Sequence, residues 1–164
     1  MTAVSNSSPL IFLSALQDLD LLRVLFGKVS IPAVYREVVE NGSGRPGTKE
    51  IQQAAGAWLS VVTVTIASNV RDLQRRAGLH AGEAEAIVLA GEVRADAILL
   101  DDQRGVDAAS ATSLTVPRTP GLYLAAKRAG IIPRVKPKLE SLRAARFRLR
   151  EEHSRLILER PGES

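Results

Sequence analysis

Residues 97–102 have the sequence Ala97-Ile98-Leu99-Leu100-Asp101-Asp102, a short apolar run that ends in two acids. Short continuous apolar runs are typical of strands that are buried on both faces of a parallel sheet. Functional side chains in such sheets collect just beyond the carboxyl ends of the strands, near the point where the strand order reverses. Asp101 and Asp102 are therefore the first candidates for a functional site.

The rest of the chain alternates between strand patterns and helical patterns. Apolar and β-branched runs predict short strands at 3–5, 29–31, 59–64 and 114–116. Helical spacing of apolar residues predicts helices between them, most clearly over 80–93. Strands that alternate with helices indicate parallel strands joined by crossovers, and hence an α/β sandwich. We expect residues 1–133 to form one domain and residues 134–164 to be a basic helical C-terminal extension of that domain.

The composition excludes several kinds of chemistry. The chain has 164 residues, 45% of them hydrophobic, which fits one globular domain and excludes a wholly disordered chain. It has no cysteine and only two histidines, so thiolate metal sites, disulfides, a thiol nucleophile and a multi-histidine site are excluded. The apolar run at 9–13 is too short to span a membrane and follows no basic residue, so we expect a cytoplasmic protein with no membrane partner.

Charge is distributed unevenly along the chain. Residues 1–117 carry 10 Lys and Arg against 13 Asp and Glu, a net charge of −3, whereas residues 118–164 carry 12 against 5, a net charge of +7. A basic C-terminal third suggests a polyanionic partner, because clustered cations attract phosphates at long range. A solvated surface helix would explain the same charges.

Two further acids lie on predicted helices that could flank the same crevice. Glu83, Ile87 and Ala90 recur at helical spacing, so Glu83 is expected to face the sheet. Glu37 follows the second predicted strand on another helix. An inward carboxylate is costly to bury unless it is paired or bound to a cation, and oxygen ligands favour Mg²⁺ or Mn²⁺.

Each of these signals also has an ordinary structural interpretation. Asp102 could be a helix N-cap, Glu37 an exposed helix residue, and Asn6 a turn former after the first strand. The presence of all these residues, in this order along the chain, is what indicates a functional site.

Four blocks of sequence resemble the PIN-domain family, and in particular the small prokaryotic PIN-like proteins related to VapC toxins. The blocks are Val4-Ser5-Asn6-Ser7-Ser8-Pro9-Leu10-Ile11, Ile31-Pro32-Ala33-Val34-Tyr35-Arg36-Glu37, Gly82-Glu83-Ala84-Glu85-Ala86-Ile87 and Leu99-Leu100-Asp101-Asp102. Residues 125–133 resemble one branch of these proteins as well. The resemblance covers nearly the whole chain.

The resemblance implies a three-layer α/β/α sandwich and a metal-dependent endoribonuclease that uses Mg²⁺ or Mn²⁺. The implied metal ligands are Asn6, Glu37, Glu83 and Asp101 or Asp102, with catalysis assigned to the four acids and Ser8 supporting the first ligand. Many members are toxins that a cognate antitoxin holds inactive, and they pair as homodimers. Arg104, Lys127, Arg128 and Arg134 are our candidates for the RNA-binding surface.

One departure from the family pattern keeps a second hypothesis open. Most members carry Asp where this chain has Asn6, and an asparagine offers a carbonyl oxygen without the charge. Since the affinity of a hard ion depends on ligand charge, the chain could instead be an inactive module that binds RNA or a protein partner. A third interpretation, a receiver-like signalling domain, fits the pair Asp101 and Asp102, but Asn6 and Pro117 replace the acids and the lysine that it needs.

Overall fold

The computed structural model describes residues 1–42 and 46–163. Within them, four parallel strands form one sheet with the order β3-β2-β1-β4. The strands are β1 (Thr2–Ser5), β2 (Lys28–Pro32), β3 (Leu59–Val62) and β4 (Ala97–Leu99). The parallel sheet predicted from the alternating pattern is therefore confirmed.

Helices connect and cover the strands. They are α1 (Ser7–Ala15), α2 (Asp20–Phe26), α3 (Arg36–Asn41), α4 (Thr48–Ala54), α5 (Ala67–Ala77), α6 (Ala81–Glu92), α7 (Gln103–Ser110), α8 (Thr119–Arg128), α9 (Lys136–Ala144) and α10 (Glu151–Glu159), with a 3₁₀ turn at Ala33–Tyr35.

Two hydrophobic clusters, one on each face of the sheet, define the three layers. Successive strand residues alternate between them, because side chains of a strand point to opposite faces. Ala3 and Leu99 belong to the cluster under α1, α2, α8 and α9, whereas Val4 and Ile98 belong to the cluster under α6 and α7. This arrangement confirms the expected α/β/α sandwich.

The strand order reverses between β1 and β4. The chain adds β2 and β3 on one side of β1 and then returns to place β4 on the other side. At the carboxyl end of this pair, the backbone N–H of Asn6 donates to the Leu99 carbonyl at 3.0 Å. The residues that follow β1 and β4 are thereby brought side by side.

Two predicted elements differ in the structure. The strand expected at 114–116 is only an isolated bridge between Thr115 and Ala97, and Pro117, which has no N–H, cannot extend it. The single helix predicted to carry Glu37 after the second strand is divided into the 3₁₀ turn and α3.

The C-terminal helices pack onto the face that carries α8. Leu139, Leu142 and Leu158 join the first hydrophobic cluster. Glu163 fixes the last described turn, since its carboxylate accepts hydrogen bonds from Lys127 Nζ at 2.6 Å and from the backbone N–H of Val135 at 2.8 Å. The division at residue 133 between domain and extension stays a prediction.

None of the helices in the described ranges is both long and apolar enough to cross a membrane.

Candidate active site

A polar cleft of about 440 Å³ lies at the carboxyl ends of β1 and β4, where the strand order reverses. This is the position at which parallel α/β sheets place their ligands. Its lining combines predicted site residues with an aromatic and basic rim: Asn6, Ser7, Ser8, Phe12, Tyr35, His80, Glu83, Asp101, Asp102, Arg146, Phe147 and Arg148.

Asn6 ends β1 and begins α1. Its side chain is 7% exposed, and its Oδ1 accepts a hydrogen bond from the Ser7 N–H at 2.9 Å as the N-cap of the helix. Asn6, and neither of the two serines that follow it, is therefore the N-cap of α1. The cap fixes the amide at the base of the cleft, with its carbonyl oxygen already oriented by the backbone.

Asp101 joins three elements at the centre of the site. One carboxylate oxygen, Oδ2, accepts hydrogen bonds from Ser8 Oγ at 2.8 Å and from Thr119 Oγ1 at 2.7 Å. The other, Oδ1, accepts from the Thr119 backbone N–H at 2.8 Å, at the first residue of α8. Ser8 thus contacts Asp101, and its support of the first ligand, Asn6, stays a prediction.

Asp102 is the N-cap of α7. Its Oδ2 accepts hydrogen bonds from the backbone N–H groups of Arg104 at 3.0 Å and Gly105 at 3.5 Å. The ordinary interpretation of Asp102 as a cap is therefore correct. The same residue also lines the cleft, and no donor in the described ranges contacts its Oδ1, so the cap and a role at the site are compatible.

Glu83 enters the cleft from the first turn of α6. Its side chain is 6% exposed, and Oε2 accepts a hydrogen bond from the His80 backbone N–H at 3.1 Å. Ile87 and Ala90 are buried on the same stripe, so the predicted inward face of α6 is confirmed. A β-carbon on Gly105 would lie 3.7 Å from Glu83 Cγ, which places the first turns of α6 and α7 in contact.

Helix N-termini make the cleft favourable for negative charge. Asn6 and Asp102 cap α1 and α7, Glu83 lies in the first turn of α6, and Asp101 binds the first N–H of α8. The N-terminus of a helix carries a partial positive charge that stabilises nearby carboxylates. These four helix ends explain how three acids occupy one cleft with no basic side chain hydrogen-bonded to them in the described residues.

Tyr35 forms a wall of the cleft and lies against α6. A β-carbon on Gly82 would overlap the Tyr35 hydroxyl, so the glycine is what permits this close approach. Burial raises the pKa of Tyr35; a hydrogen bond with Ser7 opposes the increase, and the charges of Glu83 and Glu85 add to it. Tyr35 is accordingly a neutral phenol at pH 7.

The remaining candidates lie outside the cleft lining. Glu37 is exposed in the first turn of α3, and its assignment as a ligand stays a prediction. Arg104, Arg128 and Arg134 are exposed, whereas Lys127 is half-buried and bound to Glu163. Their assignment to an RNA surface likewise stays a prediction.

Sequence reasoning missed the basic and aromatic rim of the cleft. Arg146, Phe147 and Arg148 come from the segment after α9, and Thr119 supplies two of the hydrogen bonds to Asp101. A signal for the rim exists in the alternation of arginine with apolar residues in Arg146-Phe147-Arg148-Leu149-Arg150. No local signal points to Thr119.

The donor types in the cleft fit a hard divalent ion. Glu83, Asp101 and Asp102 offer carboxylate oxygens and Asn6 an amide oxygen, which are the ligands that Mg²⁺ and Mn²⁺ prefer. Across residues 1–42 and 46–163, no three Asp, Glu or His side chains form a ready-made metal cluster. Mg²⁺ does not require one, because it is commonly held by one or two carboxylates together with waters and substrate phosphates.

Comparison with known proteins agrees with this geometry. The parallel sheet with acids at its topological switch point defines an α/β domain with a candidate site at that point, and a family model described as a PIN domain matches residues 2–163. The chain therefore belongs to the PIN-domain family, whose members are generally nucleases and typically use divalent metals. No curated protein sequence matches it. Membership of the PIN-domain family excludes the receiver-like interpretation.

Proposed function

We propose that the protein is a metal-dependent endoribonuclease that hydrolyses RNA phosphodiester bonds with Mg²⁺ or Mn²⁺. The observation that carries the proposal is the convergence of Asn6, Glu83, Asp101 and Asp102 on one cleft at the topological switch point. These four side chains come from three different parts of the chain, and the chain belongs to a family of nuclease type.

Each side chain has a role in this mechanism that follows from its contacts. Glu83, Asp101 and Asp102 would hold the ion, and Asn6 would add its amide oxygen. When bound, a divalent ion lowers the pKa of water and neutralises charge that develops on the phosphate. Water adds to the phosphorus while the bond to the 3′ oxygen breaks, which gives a 3′-hydroxyl and a 5′-phosphate. As an alternative to holding the ion, Asp102 would accept the proton of that water through Oδ1, which no donor among the described residues contacts.

The biological setting of the proposal rests on the resemblance to VapC-related proteins. On that basis the enzyme is the toxin of a toxin–antitoxin pair in the cytoplasm, forms a homodimer and is inhibited by a cognate antitoxin. The experiment for these parts is co-expression with candidate antitoxins, followed by measurement of growth and of the mass of the complex.

Glu83→Gln tests the assignment of the site. Glutamine at this position still accepts the His80 N–H, and the loss of one acid relieves repulsion, so we expect thermal unfolding to be unchanged or slightly improved. We expect cleavage of a labelled single-stranded RNA in Mn²⁺ to fall by at least about 100-fold. The matched control is Glu85→Gln, a half-buried acid on the same helix outside the cleft, which should leave the rate unchanged.

Glu37→Gln belongs in the same assay, with Glu40→Gln on the same helix as its control. Loss of cleavage in Glu37→Gln alone would add Glu37 to the ligand set, and an unchanged rate would remove it. If both Glu37→Gln and Glu83→Gln cut RNA as fast as the parent, the site assignment is wrong.

A second candidate function is a PIN-like module that binds RNA without cleaving it. The observation that favours it is Asn6, which supplies no charge at the end of β1. Cleavage by the parent protein in Mn²⁺, abolished by EDTA, would exclude this candidate.

A further inference from the structure

The segment between α9 and α10 is an extended basic strap, which we define as residues 146–150. Its arginines, Arg146, Arg148 and Arg150, are exposed, whereas Phe147 and Leu149 between them are half-buried and pack against the first hydrophobic cluster. This two-residue alternation means that the apolar side chains anchor the strap and the guanidinium groups lie on its outer side.

The position of the strap is fixed by several contacts. Phe147 packs edge-to-face on Phe12 of α1, with ring centroids 5.0 Å apart. The backbone N–H of Phe147 donates to the Leu142 carbonyl at 2.9 Å, and Arg143 reaches both the Leu149 carbonyl and Glu151. A binding surface on this segment would therefore be largely pre-formed.

The strap separates the acidic cleft from a second cavity. That groove has a volume of about 530 Å³, within the roughly 300–1,000 Å³ of small-ligand sites. Asp101, Phe147 and Arg148 line both cavities, so the two adjoin at the strap. The far side of the groove combines apolar and basic groups from the start of α8 and from α10, among them Pro117, Arg118, His153, Leu156, Ile157 and Arg160.

The arginines beside the cleft are available to a ligand. Among residues 1–42 and 46–163, neither Arg146 nor Arg148 has a hydrogen bond or ion pair through its guanidinium group. The basic candidates chosen from the sequence are more constrained, since Lys127 is bound to Glu163 and Arg104 donates to the Gly78 carbonyl at 3.4 Å. Guanidinium groups bind phosphate with two parallel hydrogen bonds, which suits them to a nucleic-acid backbone.

We propose that the strap and the groove bind the nucleotide next to the cleaved bond of a single-stranded RNA. Arg148 and Arg146 bind backbone phosphates, and the base enters the groove against Phe147 and Leu149. This inference rests on the proposed nuclease function and names the form of its substrate. Cationic side chains that follow the backbone beside an apolar or aromatic surface for the base are typical of single-strand binding. A base in a duplex could not enter such a groove, because its Watson–Crick edge is already hydrogen-bonded to the opposite strand.

The experiment uses the full chain and a labelled single-stranded oligoribonucleotide, with the same sequence as a duplex for comparison. Binding is followed by fluorescence anisotropy in EDTA at several salt concentrations. We expect Arg148→Gln to weaken binding of the single strand by roughly 10-fold and to reduce the slope of log affinity against log salt by about 0.7, the value for one lost phosphate contact on a single strand. The duplex should bind more weakly than the single strand.

Arg146 offers a variant that separates binding from folding. Its φ of 69° is in the left-handed region, at the position after α9 where glycine is preferred. We expect Arg146→Gly to raise the unfolding temperature while weakening RNA binding. Arg94→Gly is the matched control, because Arg94 has a φ of 51° at the same position after α6. At a rise of 1.5 Å per residue, Arg94 lies about 16 Å from Glu83 along the helix axis, and so away from the cleft. Arg94→Gly should stabilise the fold and leave RNA affinity unchanged.

Cleavage assays in Mn²⁺ distinguish failure of this inference from failure of the nuclease function. The inference predicts a higher KM and a retained kcat for the strap variants. The inference is overturned if the strap variants bind and cut RNA like the parent, or if they cut faster because the strap covers the cleft. It is also overturned if the parent binds the duplex more tightly than the single strand. If the parent binds RNA through the strap but never cleaves it, the nuclease function fails, whereas the binding of single-stranded RNA by the strap and groove stands. A parent that binds only an acidic peptide, and no RNA, overturns both.

Discussion

Asn6 combines a structural and a chemical role in one side chain. Its Oδ1 caps α1 while the residue lines the cleft beside Asp101. Aspartate is an equally good N-cap, so the fold does not explain why asparagine is present here. Compared with the aspartate of most family members, Asn6 reduces the negative charge of the cleft by one and keeps the geometry of the cleft.

Asn6→Asp should strengthen metal binding. A fourth carboxylate is expected to increase Mn²⁺ affinity by about 10-fold, because hard-ion affinity depends on ligand charge, and cleavage in limiting Mn²⁺ should rise with it. Titration calorimetry with Mn²⁺ measures the affinity. Asn69→Asp, an exposed change in the first turn of α5, is the control and should alter neither quantity. Equal Mn²⁺ affinity in the parent and in Asn6→Asp would remove Asn6 from the ligand set.

The site residues that could be predicted from the sequence are those governed by simple geometric rules. Asn6, Asp101 and Asp102 were found because they follow strands, and Glu83 because it shares a stripe with Ile87. Glu37 was placed by assuming one continuous helix from Pro32. The 3₁₀ turn has 3.0 residues per turn instead of 3.6, so the direction of each later side chain differs from that expectation.

At the scale of elements, the contact between the 3₁₀ turn and α6 shapes one wall of the cleft. Gly82 is buried in the first turn of α6, and the Tyr35 hydroxyl occupies the space that a side chain there would need. Helix propensity alone favours alanine over glycine at an interior helix position. Packing against Tyr35 reverses that preference.

Gly82→Ala is therefore expected to lower the free energy of unfolding by about 1–3 kcal/mol, the usual cost of overpacking. Gly91→Ala on the same helix is the control, since nothing lies within 4 Å of an added β-carbon, and it should gain up to about 1 kcal/mol. Urea unfolding at pH 7 measures both. A gain in stability for both variants would show that Tyr35 does not restrict α6 in solution.

At the scale of the whole molecule, Glu163 attaches the end of α10 to α8 and to the start of α9. Burial by itself would raise its pKa, but hydrogen bonds from Lys127 Nζ and from the N–H groups of Val135 and Lys136 lower the pKa to about 2. A carboxyl group whose pKa is lower in the folded than in the unfolded chain stabilises the fold above its unfolded pKa. That stabilisation is lost as the pH falls through the folded pKa.

Glu163→Gln should therefore reduce stability at pH 7 by about 1–3 kcal/mol, because it weakens charge-assisted hydrogen bonds. The difference from the parent should shrink as the pH is lowered from about 4.5 to about 2. Thermal unfolding across that pH range is the measurement, with Glu159→Gln, an exposed change on α10, as the control. A pH-independent difference would mean that the charge of Glu163 is not what holds the extension.

The layers of the molecule followed from the sequence, whereas the placement of the C-terminal helices did not. Alternation within strands, as at Ala3 and Val4, already specifies two buried faces. The ion pair between Lys127 and Glu163 joins residues 36 positions apart, and no periodic pattern connects them. The alternation of arginine with apolar residues in the basic strap is visible in the sequence, but its place beside the cleft depends on the tertiary contact of Phe147 with Phe12.

The hydrogen bonds of Asp101 determine which residue should be replaced to make an inactive reference protein. Its carboxylate fastens the loop after β4 to α1 through Ser8 and to α8 through Thr119. Replacing Asp101 would remove the hydrogen bonds that hold these three segments together, so loss of activity in such a variant could not be distinguished from misfolding. Glu83, which is secured by a single backbone donor that glutamine also satisfies, is the cleaner position for such a knockout.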